Sequence, residues 1–154
     1  VLVEASPQVV PILRQNRELN GGRFEILEAA VAYGVEEIEF AIGPDCMTGS
    51  TKGNGAQFVK VPALSLRSIL ESRGYGAINL IVDIEGAEID LVAHELDVLK
   101  DHVKVLVIET HEWLYRDGST ARMLDALEGA GFRIVEGKRG ESIVFAFVND
   151  ALAV

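Results

Sequence analysis

The sequence predicts an α/β domain on a mostly parallel sheet with an antiparallel last strand. Three observations carry that prediction. Apolar, strand-like runs alternate along the chain with segments of helical periodicity. One run, Ile78, Leu80, Ile81 and Val82, leads straight into three acids, Asp83, Glu85 and Glu88, and then into a helical pattern of Ile89, Val92, Ala93 and Leu96. The last two apolar runs are joined only by the turn GKRG at residues 137–140, too short for a crossover, so they must pair antiparallel. Open α/β sheets bind ligands at the carboxyl ends of their strands, so the acids after Val82 are the first place to look for function.

The elements follow in order. Val1 to Glu4 reads as the end of a buried strand. Ser6 is placed to cap a helix whose first turn takes Pro7, with Val9, Ile12, Leu13 and Asn16 on one face and Gly21 and Gly22 at its end. Phe24 to Ala32 reads as a second strand. Glu36 to Ile42 alternates apolar and polar residues, the pattern of a half-exposed strand. Residues 43–57 form a glycine-rich loop, and Phe58 to Val61 a short strand. Ser65 caps the next helix, which turns Leu66, Ile69 and Leu70 inward and stops at Gly74. The strand into Asp83 and a helix after Gly86 come next. Val103 to Ile108 is a strongly apolar strand ending at Glu109. The loop THEWLYRDG then leads to a helix over Thr120 to Glu128, stopped by Gly129 and Gly131. Phe132 to Glu136 and Ser142 to Val148 are the closing strands.

Composition narrows the function. With 154 residues the chain is long enough for one domain, residues 1–154, with its own core, and 49% apolar residues make it globular. A net charge of −10 disfavours nucleic acid as a partner and suits a cationic or neutral ligand. A single cysteine, Cys46, forms no intrachain disulfide and no cysteine-based zinc site, and a reducing, cytoplasmic setting is the simplest reading. No apolar run approaches the roughly 18–20 residues of a membrane span. The chain starts inside VLVEASP without a methionine, like the tail of a strand already under way, so residues upstream are expected.

Several polar residues stand where strands end. Glu4 closes the first strand. A carboxylate there can accept both hydrogens of a ribose diol, or stabilise the start of the next helix. Asp83 and Glu85 close the central strand and offer a site for a positive group or a metal, although no residue is assigned to a metal. Asp83 follows four positions read as buried, so it is expected to be desolvated and to need a partner. Glu88 reads as a helix residue. Glu109 and His111 end the next strand, and if the two strands are neighbours all four side chains share one sheet edge. Histidine is the usual general base near neutral pH. Trp113 and Tyr115 either line a pocket or pack over the sheet edge. No HExxH, GxSxG or P-loop motif is present.

Together these pieces resemble the FkbM family of S-adenosylmethionine-dependent methyltransferases. The segment VDIEGAE around Asp83 to Glu88 resembles the family signature. VEASPQVVPILRQNRELN resembles the acid, proline and helix after that family's second strand. FEILEAAVA resembles its third strand, VLVIETHEW its fifth, and MLDALEGAGFRIV its next helix and sixth strand. The resemblance covers nearly the whole chain. Two positions depart from it: Ile81 stands where the family often carries lysine, and Arg67 where aspartate is frequent.

The resemblance implies a Rossmann-like class I sheet in the order 3-2-1-4-5-7-6, here lacking the first strand and its glycine-rich loop. A chain without that central strand is expected to be poorly stable alone or to associate with another. S-adenosylmethionine is the implied cofactor, with Glu4 on the ribose, Ala30 by the adenine, Asp83 near the methionine part or the acceptor, and Ala5 also among the cofactor-binding residues. The implied reaction methylates a hydroxyl of a small molecule, sugar or lipid. His111 is the candidate base, with Glu85 or Glu109 orienting it. A homo-oligomer remains open. Two other readings are an NAD-type Rossmann oxidoreductase, which would also use Glu4, and a non-catalytic methyltransferase-like fragment.

Overall fold

The structure, a computed structural model, describes residues 1–43, 49, 51, 57–115 and 117–152. Most of the loop expected at 43–57, including Cys46, therefore lies outside the described residues. The chain divides into two units, Val1–Leu64 and Ser65–Val154.

In the first unit β1 (Leu2–Glu4) pairs in parallel with β2 (Ile26–Glu28), which sets Glu4 opposite Glu28. The helix between them, α1, runs Val10–Leu19. It starts later than Ser6 and Pro7 suggest, because Val9 and Val10 donate their N–H groups to the Ser6 carbonyl and close a turn first. Pro11 explains the delay. A helix already running at Pro7 would place Pro11 past the first turn, where its missing N–H and ring would break the ladder; starting at Val10 puts it in the first turn, where it is tolerated. The inward face shifts accordingly: Val10 is buried and Ile12 is exposed.

The single strand expected over Phe24 to Ala32 is two. It breaks at Ala29, whose N–H is shared between the Glu4 and Leu27 carbonyls. The second piece, β3 (Ala30–Val31), joins a different sheet, of order β3-β5-β4, with β4 (Glu37–Ile42) and β5 (Gln57–Leu64). β5 extends past Val61, where Pro62 would be expected to end it. Ala63 donates to Glu36 beside β4, so the Pro62 nitrogen faces the other side, where pairing with β3 begins only at Ala63. Ala30, Phe40 and Val61 form the core of this unit, with Ala5, Ile38 and Val59 packed against them.

The second unit holds α2 (Leu66–Arg73), β6 (Ile78–Val82), α3 (Glu88–His102), β7 (Val103–Glu109), a 3-10 turn (Glu112–Leu114), α4 (Ser119–Gly129), β8 (Phe132–Glu136) and β9 (Val144–Asn149). Its four strands lie in the order β6-β7-β9-β8. β6 and β7 are parallel, and β9 runs antiparallel between β7 and β8, as the short turn requires. Among the described residues three strand pairs are parallel and three antiparallel, so the sheets are mixed rather than mostly parallel. Phe132, Phe145 and Phe147 pack together at centroid separations of 6.4 and 6.3 Å, and each contributes roughly 1.5–3 kcal/mol by burial. Leu99, Leu106, Ile108 and Leu127 are also fully enclosed.

Two expectations about the acidic segment need correction. β6 is not a fully buried strand: only Val82 is buried, and Ile81 is 79% exposed. Among the described residues β6 is the edge of its sheet and pairs only with β7, so its side chains lack the cover a central strand has. The inward phase of α3 is also one residue earlier than the apolar pattern suggests. Glu88, Leu91, Val92, Glu95, Val98 and Leu99 are buried, whereas Ala93 is exposed. Two glutamates occupy that inward stripe and disguise it as polar.

Candidate active site

Parallel pairing sets Val82 of β6 opposite Ile108 of β7, so the two strands deliver Asp83 and Glu109 to the same end of the sheet. The chain beyond β6 turns sharply. Glu85 has φ +51° and Gly86 φ +100°. The left-handed region costs a residue with a side chain roughly 1–2 kcal/mol, and such strain gathers at functional turns. Beyond β7, Thr110 is buried and donates both its N–H (2.7 Å) and its hydroxyl (3.0 Å) to the Ile143 carbonyl. The His111 carbonyl accepts from the Leu114 N–H at 2.9 Å. The backbone is thus tied on both sides of the histidine.

His111 is where the polar side chains converge. Its side chain is 2% exposed. Nε2 faces Asp83 Oδ1 at 3.7 Å and Glu85 Oε2 at 3.4 Å. On the other side of the ring, Nδ1 lies 2.9 Å from Glu88 Oε1. That distance suits a hydrogen bond, but the oxygen lies off the N–H direction and Nδ1 has no aligned partner, so the contact is electrostatic. The Trp113 ring meets the imidazole edge-on, with centroids 4.9 Å apart. The Tyr115 hydroxyl donates to the Gly86 carbonyl and ties the 3-10 segment to the turn that carries Glu85.

The acids differ in setting. Asp83 is 57% exposed, not desolvated as its position after an apolar run suggests, because it emerges from an edge strand. Glu85 is half-buried. Burial raises its carboxyl above the ordinary range, His111 pulls it back, and the nearby charges of Asp83, Glu88 and Glu109 push it further up. Glu88 is enclosed and accepts the Ile84 N–H at 3.0 Å. Glu109 is half-buried at the end of β7; among the described residues it makes no ion pair with His111.

The sheet edge expected to join Asp83, Glu85, Glu109 and His111 therefore exists, with the first two acids and the histidine in closest contact. The residue facing Nδ1 is neither Glu85 nor Glu109 but Glu88. Its signal was the 3–4 spacing it shares with Leu91, Val92 and Glu95, hidden by its charge.

The residues read as cofactor-binding in the first unit are placed as follows. Glu4 ends β1, half-buried, and its Oε1 accepts the Ser6 N–H at 2.7 Å. Ala5 packs against the core cluster that contains Ala30, and Ala30 itself is buried at the start of β3.

The acid–histidine cluster stands at the carboxyl ends of two parallel strands, the end at which open α/β sheets bind ligands. The family model described as Methyltransferase FkbM domain matches residues 1–134, and the chain belongs to that family of methyltransferases. No curated protein and no solved structure gives a significant match. Membership sets aside the oxidoreductase reading. No helix among the described residues is long and apolar enough to cross a membrane.

Proposed function

We propose that this methyltransferase transfers a methyl group from S-adenosylmethionine to a hydroxyl of a small molecule, sugar or lipid, and that residues 1–154 act as one domain in doing so. The family match runs through the junction of the two units at residues 64 and 65, which supports the single domain. The observation that carries the reading is the His111 imidazole, buried and held with Nε2 toward Asp83 and Glu85.

The residues in the first unit fit the proposed cofactor. One oxygen of Glu4 accepts the Ser6 N–H, and the other, which has no hydrogen bond among the described residues, would accept from a ribose hydroxyl. Ala30 is small and begins β3, which suits a flat adenine, and Ala5 directly follows Glu4 beyond the end of β1. When bound, the cofactor supplies a methyl group on a sulfonium, already a good leaving group. Orientation then provides most of the rate, up to roughly 7–11 kcal/mol. An acceptor hydroxyl placed against His111 Nε2 would give its proton to that nitrogen while its oxygen takes the methyl group that the cofactor would supply. A positioned base of this kind adds about 10²–10⁴-fold. Glu88 behind Nδ1 favours the charge the ring gains, and Asp83 and Glu85 face the nitrogen that takes the proton.

Titration calorimetry with S-adenosylhomocysteine and with NAD tests the cofactor. Saturable binding of the first alone is the expected result. Failure of S-adenosylhomocysteine to bind would overturn the reading and favour a non-catalytic member of the family.

A further inference from the structure

Trp113, the only tryptophan of the chain, is 56% exposed. A single exposed apolar side chain is ordinary and means nothing alone. Three observations set this one apart. Its ring touches His111, with centroids 4.9 Å apart and planes at 69°, so the buried imidazole covers only part of the indole. The segment that carries it is fixed. The Leu114 N–H donates to the His111 carbonyl (2.9 Å), the Tyr115 N–H to the Glu112 carbonyl (3.0 Å) and the Tyr115 hydroxyl to the Gly86 carbonyl (2.5 Å). An open ring held this way is a preorganised surface. The third observation is its surroundings: Asp83 Oδ1 and Glu85 Oε2 stand 3.7 and 3.4 Å from the Nε2 of the same histidine.

These features select a ligand. An aromatic face is the negative part of its quadrupole, so it attracts C–H bonds made positive by neighbouring oxygens. One face of a pyranose ring presents a row of such bonds, and its rim presents hydroxyls. A ring stacked on the indole carries those hydroxyls alongside the imidazole, one centroid separation away. Carboxylates accept hydroxyl hydrogens and repel anions, so Asp83 and Glu85 favour an uncharged sugar over a phosphorylated or uronic one. An alkyl chain would take water from both carboxylates and give them no hydrogen in return. A flat aromatic acceptor would cover the indole but offer the acids few hydroxyls.

We propose that Trp113 is the platform of the acceptor site and that the acceptor is an uncharged pyranoside. The sugar ring stacks on the indole, places one hydroxyl at His111 Nε2 and directs others to Asp83 and Glu85. Trp113 takes no proton; it determines which ring enters and which hydroxyl meets the base. This assignment rests on the methyl-transfer reading and narrows its acceptor.

Saturation-transfer NMR of the whole chain tests it, with and without S-adenosylhomocysteine. The probes are the methyl pyranosides of glucose, galactose, mannose and fucose. At least one should bind, with saturation strongest on the C–H protons of one ring face. Trp113→Ala should weaken that binding by at least about tenfold. Trp113→Phe, which keeps a ring, should recover part of the loss, and Trp113→Leu should not. Tyr75→Ala removes another exposed aromatic, which precedes β6 at the strand's other end, and should change nothing. Glucuronate and galacturonate should bind more weakly than the neutral sugars. No pyranoside bound in the presence of S-adenosylhomocysteine, binding indifferent to Trp113→Ala, equal recovery by Phe and Leu, or a preference for catechol or monoolein would overturn the platform. S-adenosylhomocysteine binding without a pyranoside sinks the platform alone. Pyranoside binding that depends on Trp113, without S-adenosylhomocysteine binding, sinks the methyl-transfer reading and leaves a sugar site.

Discussion

His111 Nδ1 lies 2.9 Å from Glu88 Oε1, and both side chains are 2% exposed. A carboxylate so enclosed is stabilised only by its neighbours, here the imidazole and the Ile84 N–H. Removing it strands both. Glu88→Ala is expected to lower the unfolding free energy by about 3 kcal/mol. Glu88→Gln, which keeps an acceptor for Ile84, should recover part of that loss. Urea denaturation checks the pair of variants; a wild-type midpoint for Glu88→Ala would show that the contact contributes little.

Glu85 responds to pH in the opposite sense to a salt-bridged acid. Its carboxyl is raised in the folded state, chiefly by burial. Its contribution to stability is therefore fully present below the ordinary glutamate range and is lost as pH rises through the higher folded value. Glu85→Gln removes this penalty. The variant should be more stable than the wild type at pH 7, and the difference should shrink as pH falls below the ordinary glutamate value of 4.5. Melting curves across that window decide it, and a gap that does not change with pH would refute the assignment.

Glu95 holds the start of α2. Its two carboxylate oxygens accept the Leu66 and Arg67 N–H groups, both at 2.7 Å. The carboxylate is buried on α3, where the helix backbone departs from regular geometry at φ −131°. Each charged hydrogen bond is worth roughly 1.5–3 kcal/mol, so Glu95→Ala should cost about 3 kcal/mol or more. Hydrogen exchange localised to Leu66 and Arg67 would confirm the route. Unchanged protection there would count against it.

Gly137 and Gly140 flank the turn between β8 and β9 and should tolerate alanine unequally. Both have positive φ, +98° and +76°. At Gly140 an added methyl meets nothing, so Gly140→Ala should cost only the left-handed penalty of roughly 1–2 kcal/mol. At Gly137 it would stand 2.7 Å from the Val144 carbonyl oxygen and 2.8 Å from the Phe145 ring. Gly137→Ala should therefore be clearly the less stable of the two in thermal melts. Equal melting temperatures would contradict this.

Glu4 carries the prediction for the proposed cofactor. Loss of one charged hydrogen bond, about 1.5–3 kcal/mol, corresponds to roughly ten- to a hundredfold in affinity. Glu4→Ala is expected to weaken S-adenosylhomocysteine binding by that factor in calorimetry, with Glu39→Gln as the neutral comparison. Undiminished affinity would remove Glu4 from the site.

Much of this molecule was legible along the chain. The strand–helix alternation, the Ser65 cap, the stop at Gly74 and the antiparallel closing pair depend on local rules: side-chain oxygens that bond a neighbouring N–H, glycine's access to positive φ, and a turn too short to cross over. The carboxyl ends of β6 and β7 could be located by the same means, because an apolar run that stops at an acid marks a strand leaving the core. What was misread was decided by a competing local or tertiary requirement. Pro11 outranked Pro7 and moved the start of α1, since only one of them could sit in a first turn.

The sequence by itself determined which residues could do chemistry here and that strand ends would carry them. Only the tertiary structure decided how they are arranged. It turned Glu88 inward onto His111, left Asp83 exposed on an edge strand, and broke one apolar run between two sheets at Ala29. Periodicity cannot show these things, because a buried glutamate looks polar in any window and a strand's exposure depends on neighbours distant in sequence. The partners that make burying Glu88 tolerable, the His111 ring and the Ile84 N–H, meet it only once β6, α3 and the end of β7 have come together.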